Sequence, residues 1–201
     1  MKILVLAPHT DDEVIGCGGF IHNRIKKKDK IKVVAFSWLF SGKDLRQEFA
    51  DAGNVLGVQN FAYFSFIPRN FCNMRQEIRD AMIALRDNTN SPWDWILVPQ
   101  SNDPHQDHQV ITEEAIRIFG KYTLLGYEGL GKSRAPIFDL VVKLDKEDIM
   151  AKINAFTRFE SQKTRFYYKQ RKEFFSGRAV DRGMLIEKPY AEAFQIIRMT
   201  M

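Results

Sequence analysis

Short, almost unbroken apolar runs recur along the chain at Lys2–Ala7 (KILVLA), Ile31–Ser37 (IKVVAFS) and Asp94–Pro99 (DWILVP). Runs of this length without polar alternation predict strands covered on both faces, as in a parallel sheet. Between them, apolar positions return every three or four residues, as at Ile78, Met82 and Leu85. That spacing predicts helices over Glu13–Lys27, Leu45–Leu56, Met74–Arg86 and Gln109–Phe119. Strands alternating with helices and joined by right-handed crossovers predict an α/β fold. The sheet is expected to be Rossmann-like, doubly wound and mostly parallel, with helices on both faces. After Gly120 the rhythm changes: strands are predicted at Tyr122–Glu128 and Ile137–Leu144, helices at Lys146–Phe159 and Gln162–Phe175. No repeat, low-complexity tract or linker interrupts the pattern, so one domain is expected over residues 1–201.

Composition narrows the class. Hydrophobic residues make up 45% of the 201, with 16 phenylalanines, enough for a packed core and too many for a disordered chain. No stretch approaches the ~18 apolar residues that cross a bilayer. The first strand runs directly into His9, Asp11, Asp12 and Glu13, where an export signal would still be apolar. Two cysteines, Cys17 and Cys72, make no disulfide framework, and a cytoplasmic location is expected. The net charge of +5 comes partly from lysines 26, 27, 28, 30 and 32 and from a basic stretch over 163–178. These charges read first as solvated surface and second as attraction toward an anionic substrate or lipid surface. No nucleic-acid signature accompanies them.

Three of the four histidines carry the chemistry. His9 stands just past the first strand in Pro8-His9-Thr10-Asp11-Asp12-Glu13, and His105 and His108 follow a later strand in Asp103-Pro104-His105-Gln106-Asp107-His108. In a doubly wound sheet, ligands bind in the crevice outside the carboxyl ends of the strands. If those strands are neighbours, imidazoles and carboxylates meet there, and these are preferred ligands of Zn²⁺. His9, Asp12 and His108 would make an open three-ligand site. Asp11 would stand beside it as a base, His105 could donate to an oxyanion, and Asp107 could fix an imidazole tautomer. The fourth histidine, His22, lies in a helical stretch before the lysine run and reads as non-catalytic. Gly16-Cys17-Gly18-Gly19 lacks the spacing of a dinucleotide fingerprint and reads as close packing of the first helix.

PHTDDEVIGCGG and DPHQDHQV resemble the AHPDDE and HxDH signatures of the PIG-L/LmbE-type zinc-dependent de-N-acetylases, in order and at a separation of about a hundred residues. Leu45-Arg46-Gln47-Glu48 followed by Leu56-Gly57-Val58, then Tyr127-Glu128, then Phe159-Glu160-Ser161-Gln162, resemble further elements of that family. The resemblance implies a metal site at the C-terminal ends of the first and fourth strands, with one zinc per chain held by His9, Asp12 and His108. It implies Asp11 as general base, His105 as electrophilic or acid histidine oriented by Asp107, and Arg46 as a substrate contact. The implied activity is removal of an N-acetyl group from an N-acetylglucosamine-type glycoconjugate, with homo-oligomers common in the family. The alternatives are another metal-dependent hydrolase (an amidase or phosphoesterase) and a catalytically silent carbohydrate-binding member of the fold.

Two departures stand out. Thr10 replaces the usual proline, which removes a fixed φ but no ligand. Where the family commonly has an acidic substrate contact, this chain reads Phe66-Ile67-Pro68-Arg69-Asn70. Arg69 in that position points to an anionic group on the substrate.

Overall fold

The computed structural model describes residues 1–87, 92–130 and 135–200. The chain begins with β1 (Lys2–His9), α1 (Asp12–Lys26) and β2 (Lys30–Ser37), and a small hairpin follows, β3 (Leu39–Phe40) with β4 (Lys43–Asp44). Next come α2 (Arg46–Leu56), β5 (Asn60–Tyr63), α3 (Arg75–Asp87), β6 (Trp95–Pro99), α4 (Gln106–Ile118) and β7 (Thr123–Tyr127). The last part contains β8 (Leu140–Leu144), α5 (Lys146–Phe156), α6 (Phe166–Lys169), α7 (Arg171–Met184) and β9 (Tyr190–Arg198). Seven strands form one sheet in the order β5-β2-β1-β6-β7-β9-β8. The first five of these are parallel, and β9 runs antiparallel to both of its neighbours. This is the expected α/β architecture.

Each central strand feeds two cores, which explains its unbroken apolar run. Ile3 and Val5 of β1 pack with α1, α2, α5 and α7, while Leu4 and Leu6 face Ile78 and Met82 of α3 and Val110 and Ile111 of α4. Alternate side chains point to opposite faces, so a strand buried on both sides has no polar position to spare.

The glycine run in α1 does pack closely. A Cβ on Gly16 would lie 2.2 Å from the ring of Tyr127. The helix breaks at Cys17 (φ −142°), and Glu192 of β9 accepts from the freed amides of Gly19 (3.1 Å) and Phe20 (2.6 Å). The ammonium of Lys152 on α5 neutralises that carboxylate at 2.5 Å, both groups being buried.

Three expectations need correcting. The predicted helix Gln162–Phe175 is two helices, α6 and α7, divided at Gln170; a separate tight turn over 160–162 precedes them, and α7 continues to Met184. The strands β5 and β9 and the hairpin of β3 and β4 are additional to the predicted set. Finally, α4 starts at Gln106 rather than Gln109, which takes Asp107 and His108 out of the expected loop and into the first helical turn.

Candidate metal and catalytic site

β1 and β6 are adjacent and parallel, so their C-terminal ends deliver the two histidine segments to one place. His9 is the last residue of β1, and its backbone N–H donates to Asp12 Oδ2 (2.9 Å) in the first turn of α1. Across the cleft His105 caps α4, its Nδ1 accepting from the Asp107 N–H at 3.2 Å. Asp103 Oδ1 in turn accepts the N–H of His105 (2.9 Å). These local bonds satisfy helix-terminal donors and fix the directions of the side chains beside them.

The imidazoles converge. His9 Nδ1 lies 3.1 Å and His108 Nε2 3.2 Å from Asp12 Oδ2. The ring centroids of His9 and His105 are 5.1 Å apart, and those of His105 and His108 are 4.6 Å apart. One ligand atom from each of His9, Asp12 and His108 lies within 4.8 Å of the others, and the same holds for His9, His105 and Asp107. The first set offers two nitrogens and one oxygen and leaves further coordination positions open, a donor set that suits Zn²⁺.

The groups behind these side chains are carboxylates. Asp103 Oδ2 meets His108 Nδ1 at 2.9 Å, turning Nε2 of that ring toward Asp12. Asp107, fully buried, meets His9 Nε2 at 3.0 Å and accepts from the backbone N–H groups of Arg69 (2.7 Å) and Phe71 (3.4 Å). The Asp107 carboxylate therefore orients His9, and only its main-chain N–H reaches Nδ1 of His105. This corrects the expectation that Asp107 orients His105. The reason is the early start of α4, which turns the side chain of Asp107 under His9. Sequence reasoning gave Asp103 no role; its five-residue spacing from His108 was the available signal.

Charge follows from these contacts. Burial alone would lower the pKa of His9, but its bonds to Asp107 and Asp12 raise it to about 9. His108 shows the same opposition: against burial, the charge of Asp12 and the bond to Asp103 raise it to about 10. Asp12 is held well below the carboxylate range, because the charge and bond of His108, joined by His9, overcome burial. Asp11 moves the other way: burial first, then the charge of Asp12, push it to about 7. His105 is lowered by burial and by the neighbouring charges of His108 and His9, which favours the neutral ring.

These side chains open onto a cavity of about 350 Å³. His9, Asp11, Asp12, His105 and His108 line its floor, with apolar wall from Leu39, Phe40 and Leu130. Arg69 and Arg165 line it too, as do Gln162 and Tyr167. Glu48 holds this last segment by accepting from the N–H (2.9 Å) and Oγ (2.7 Å) of Ser161, and Tyr167 donates to Gln162 Oε1 at 2.8 Å. Arg46 is not brought into the cavity lining. Its guanidinium grips Asp44 (Nε at 2.9 Å from Oδ2) and lies 4.5 Å over the ring of Trp38. Tyr127 and Glu128 serve the frame: the Tyr127 hydroxyl donates to the Leu6 carbonyl at 3.0 Å, and Glu128 pairs with Arg182 at 2.9 Å.

Among protein families, the profile described as PIG-L, GlcNAc-PI de-N-acetylase, matches residues 4–119. No curated protein sequence matches the chain. Among solved structures, a conserved protein from Thermus thermophilus is similar at 20% identity and TM-score 0.78, over 99% of this chain and 96% of that one. The zinc-inhibited form of a teicoplanin deacetylase gives 13% identity and TM-score 0.80, over 96% of this chain and 97% of that one. The N,N'-diacetylchitobiose deacetylase of Pyrococcus horikoshii gives 19% and 0.80, over 98% and 83%. At these identities the likeness is one of fold. Among the described residues no helix is long and apolar enough to cross a membrane.

Proposed function

Because the chain belongs to the PIG-L family of GlcNAc-PI de-N-acetylases, we propose that it is a zinc-dependent hydrolase that removes the N-acetyl group from an amino sugar of a glycoconjugate and releases acetate. One observation carries this reading: ligand atoms of His9, Asp12 and His108 gather within 4.8 Å at the floor of a cavity that Asp11 also lines. In this reading those three residues hold one zinc ion per chain. When bound, zinc supplies Lewis-acid polarisation of an amide carbonyl and lowers the pKa of water toward ~7.

The remaining steps belong to the side chains. Asp11, which lines the cavity beside Asp12, takes a proton from the attacking water, and that proton returns, from Asp11 or through His105, to the amine nitrogen as the C–N bond breaks. His105 accepts at Nδ1 from the main chain, so its neutral ring carries the proton on Nε2 and can donate to the acetamide oxygen as charge builds there. Asp107 and Asp103 keep His9 and His108 in the tautomers that metal binding needs. Leu39, Phe40 and Leu130 limit water around the reacting amide. A cytoplasmic location is part of this reading, in keeping with two cysteines that stand unpaired.

The test is acetate release from a panel of N-acetylglucosaminides by zinc-loaded protein, before and after chelation. Turnover should vanish with chelator and return with zinc. Asp11→Asn should keep the metal yet lose about 10²–10⁴-fold in rate. Release of no acetate across the panel overturns the deacetylase reading, and a fully active Asp11→Asn protein overturns the assignment of the base.

A further inference from the structure

Two arginines on the cavity wall have guanidinium groups that pair with no carboxylate among the described residues. Most arginines of this chain are otherwise engaged: Arg75 and Arg79 on Glu114, Arg182 on Glu128, Arg46 on Asp44 and Arg86 on Asp87. Arg69 and Arg165 are exposed, and both line the cavity that holds His9, Asp11 and His108.

Arg69 is also held in an unusual conformation. Its φ is +66°, a left-handed backbone that a long side chain seldom adopts and that persists only where surrounding contacts enforce it. The enforcing contacts are on the page. Asp107 accepts its N–H at 2.7 Å, and Gln106 Nε2 donates to its carbonyl at 2.5 Å, so the first turn of α4 grips the backbone from both sides. Glycine would satisfy this geometry at less cost. An arginine clamped here by its main chain, in the cavity lining and with no carboxylate on its guanidinium, is a cation anchored at the site through its backbone. Arg165 stands at the start of α6 with its guanidinium 5.7 Å from the ring centre of Phe40, another cavity residue.

We propose that Arg69 and Arg165 form an anion subsite, so that the amino sugar taken by this cavity carries a phosphate group. The inference rests on the deacetylase reading for the sugar and on the two guanidiniums for the anion. A guanidinium fork matches phosphate oxygens with paired charge-assisted hydrogen bonds, and two cations suit a dianion better than a single carboxylate. The cavity, about 350 Å³, is within the range of small-molecule sites. Its floor already spends the charges of Asp12 and Asp103 on histidines, so the arginines are left for the ligand.

The experiment compares N-acetylglucosamine 1-phosphate with the neutral methyl glycoside of N-acetylglucosamine. Acetate release is followed on zinc-loaded protein, and calorimetric binding of the same two compounds is followed alongside it. The wild type should favour the phosphorylated compound by about tenfold or more in both readouts. Arg69→Ala and Arg165→Ala should each bring that ratio close to one, mainly through KM. Arg158→Ala, an exposed arginine outside the cavity lining, should leave the ratio as it is. Equal handling of the two compounds by the wild type, or a ratio untouched by the two substitutions, overturns the subsite. Phosphate-selective binding without acetate release would instead sustain the subsite and count against the deacetylase reading.

Discussion

Asp103 supports the site through a single imidazole. Its Oδ2 meets Nδ1 of His108, and a carboxylate behind a metal-binding histidine sets both the tautomer and the basicity of the ring. Replacing Asp103 by Ala should weaken zinc affinity by about 10–100-fold, read by competition with a chromogenic chelator. An unchanged affinity would remove His108 from the metal site. At this scale the convergence of His9, Asp12 and His108 was legible, because the candidate groups come in two short segments whose spacing survives folding. Asp103 and the true partner of Asp107 were not legible. Both depend on the helix starting three residues earlier than its apolar spacing implies, since the residues from Gln106 to His108 are polar and give no periodic signal.

Elements bring those segments together, and their own fastenings are ionic. Glu114 on α4 is fully shielded from solvent yet receives Arg75 and Arg79 of α3. Burial opposes its charge, but the bonds from Arg79 and Arg75 outweigh it and depress its pKa below the usual 4.5. A depressed carboxylate contributes stability that is complete above its unfolded-state value and fades as pH falls through the lower folded value. Glu114→Gln should therefore reduce thermal stability at neutral pH and flatten the acid limb of a Tm–pH profile. Identical acid limbs would show that the α3–α4 cluster is idle. The Glu192–Lys152 pair stitches the broken α1 to β9 and α5. Glu192→Gln leaves a buried ammonium uncompensated and should cost about 3–5 kcal/mol in urea unfolding. This same pair explains why β9 escaped the sequence reading. Its inward positions are Glu192 between two alanines, so a strand buried at its start does not present an apolar run. The break at Cys17 was hidden for the opposite reason, since the run through it reads as one helix.

For the whole molecule, the order of the sheet decides what the site can be. The pairing of β1 with β6 was the conditional step in the sequence reading, and the sheet supplies it. The insertion of β9 between β7 and β8 was not readable, because it is made by antiparallel contacts between residues 46 to 74 positions apart, such as Leu144 with Tyr190 and Leu124 with Arg198. A site assembled from the ends of two neighbouring strands exists only in the folded chain, so a ligand of that site should stabilise the fold globally. Zinc at 100 times its dissociation constant should add about 2.7 kcal/mol, seen as a rise in Tm that a chelator reverses. A Tm indifferent to zinc would mean that the His9, Asp12 and His108 cluster does not bind it.

Asp107 holds the 69–71 stretch by amide hydrogens alone. Main-chain donors are the same whichever amino acid bears them, so the side chain at position 69 can be exchanged without unfastening the stretch or disturbing the imidazole that shares the carboxylate. Asparagine or glycine would accept the left-handed backbone with even less strain. On the proposed reading, what the cavity grips and how it reacts are thus separately editable, and a new preference could be grafted at position 69 while Asp11 and His105 stay as they are.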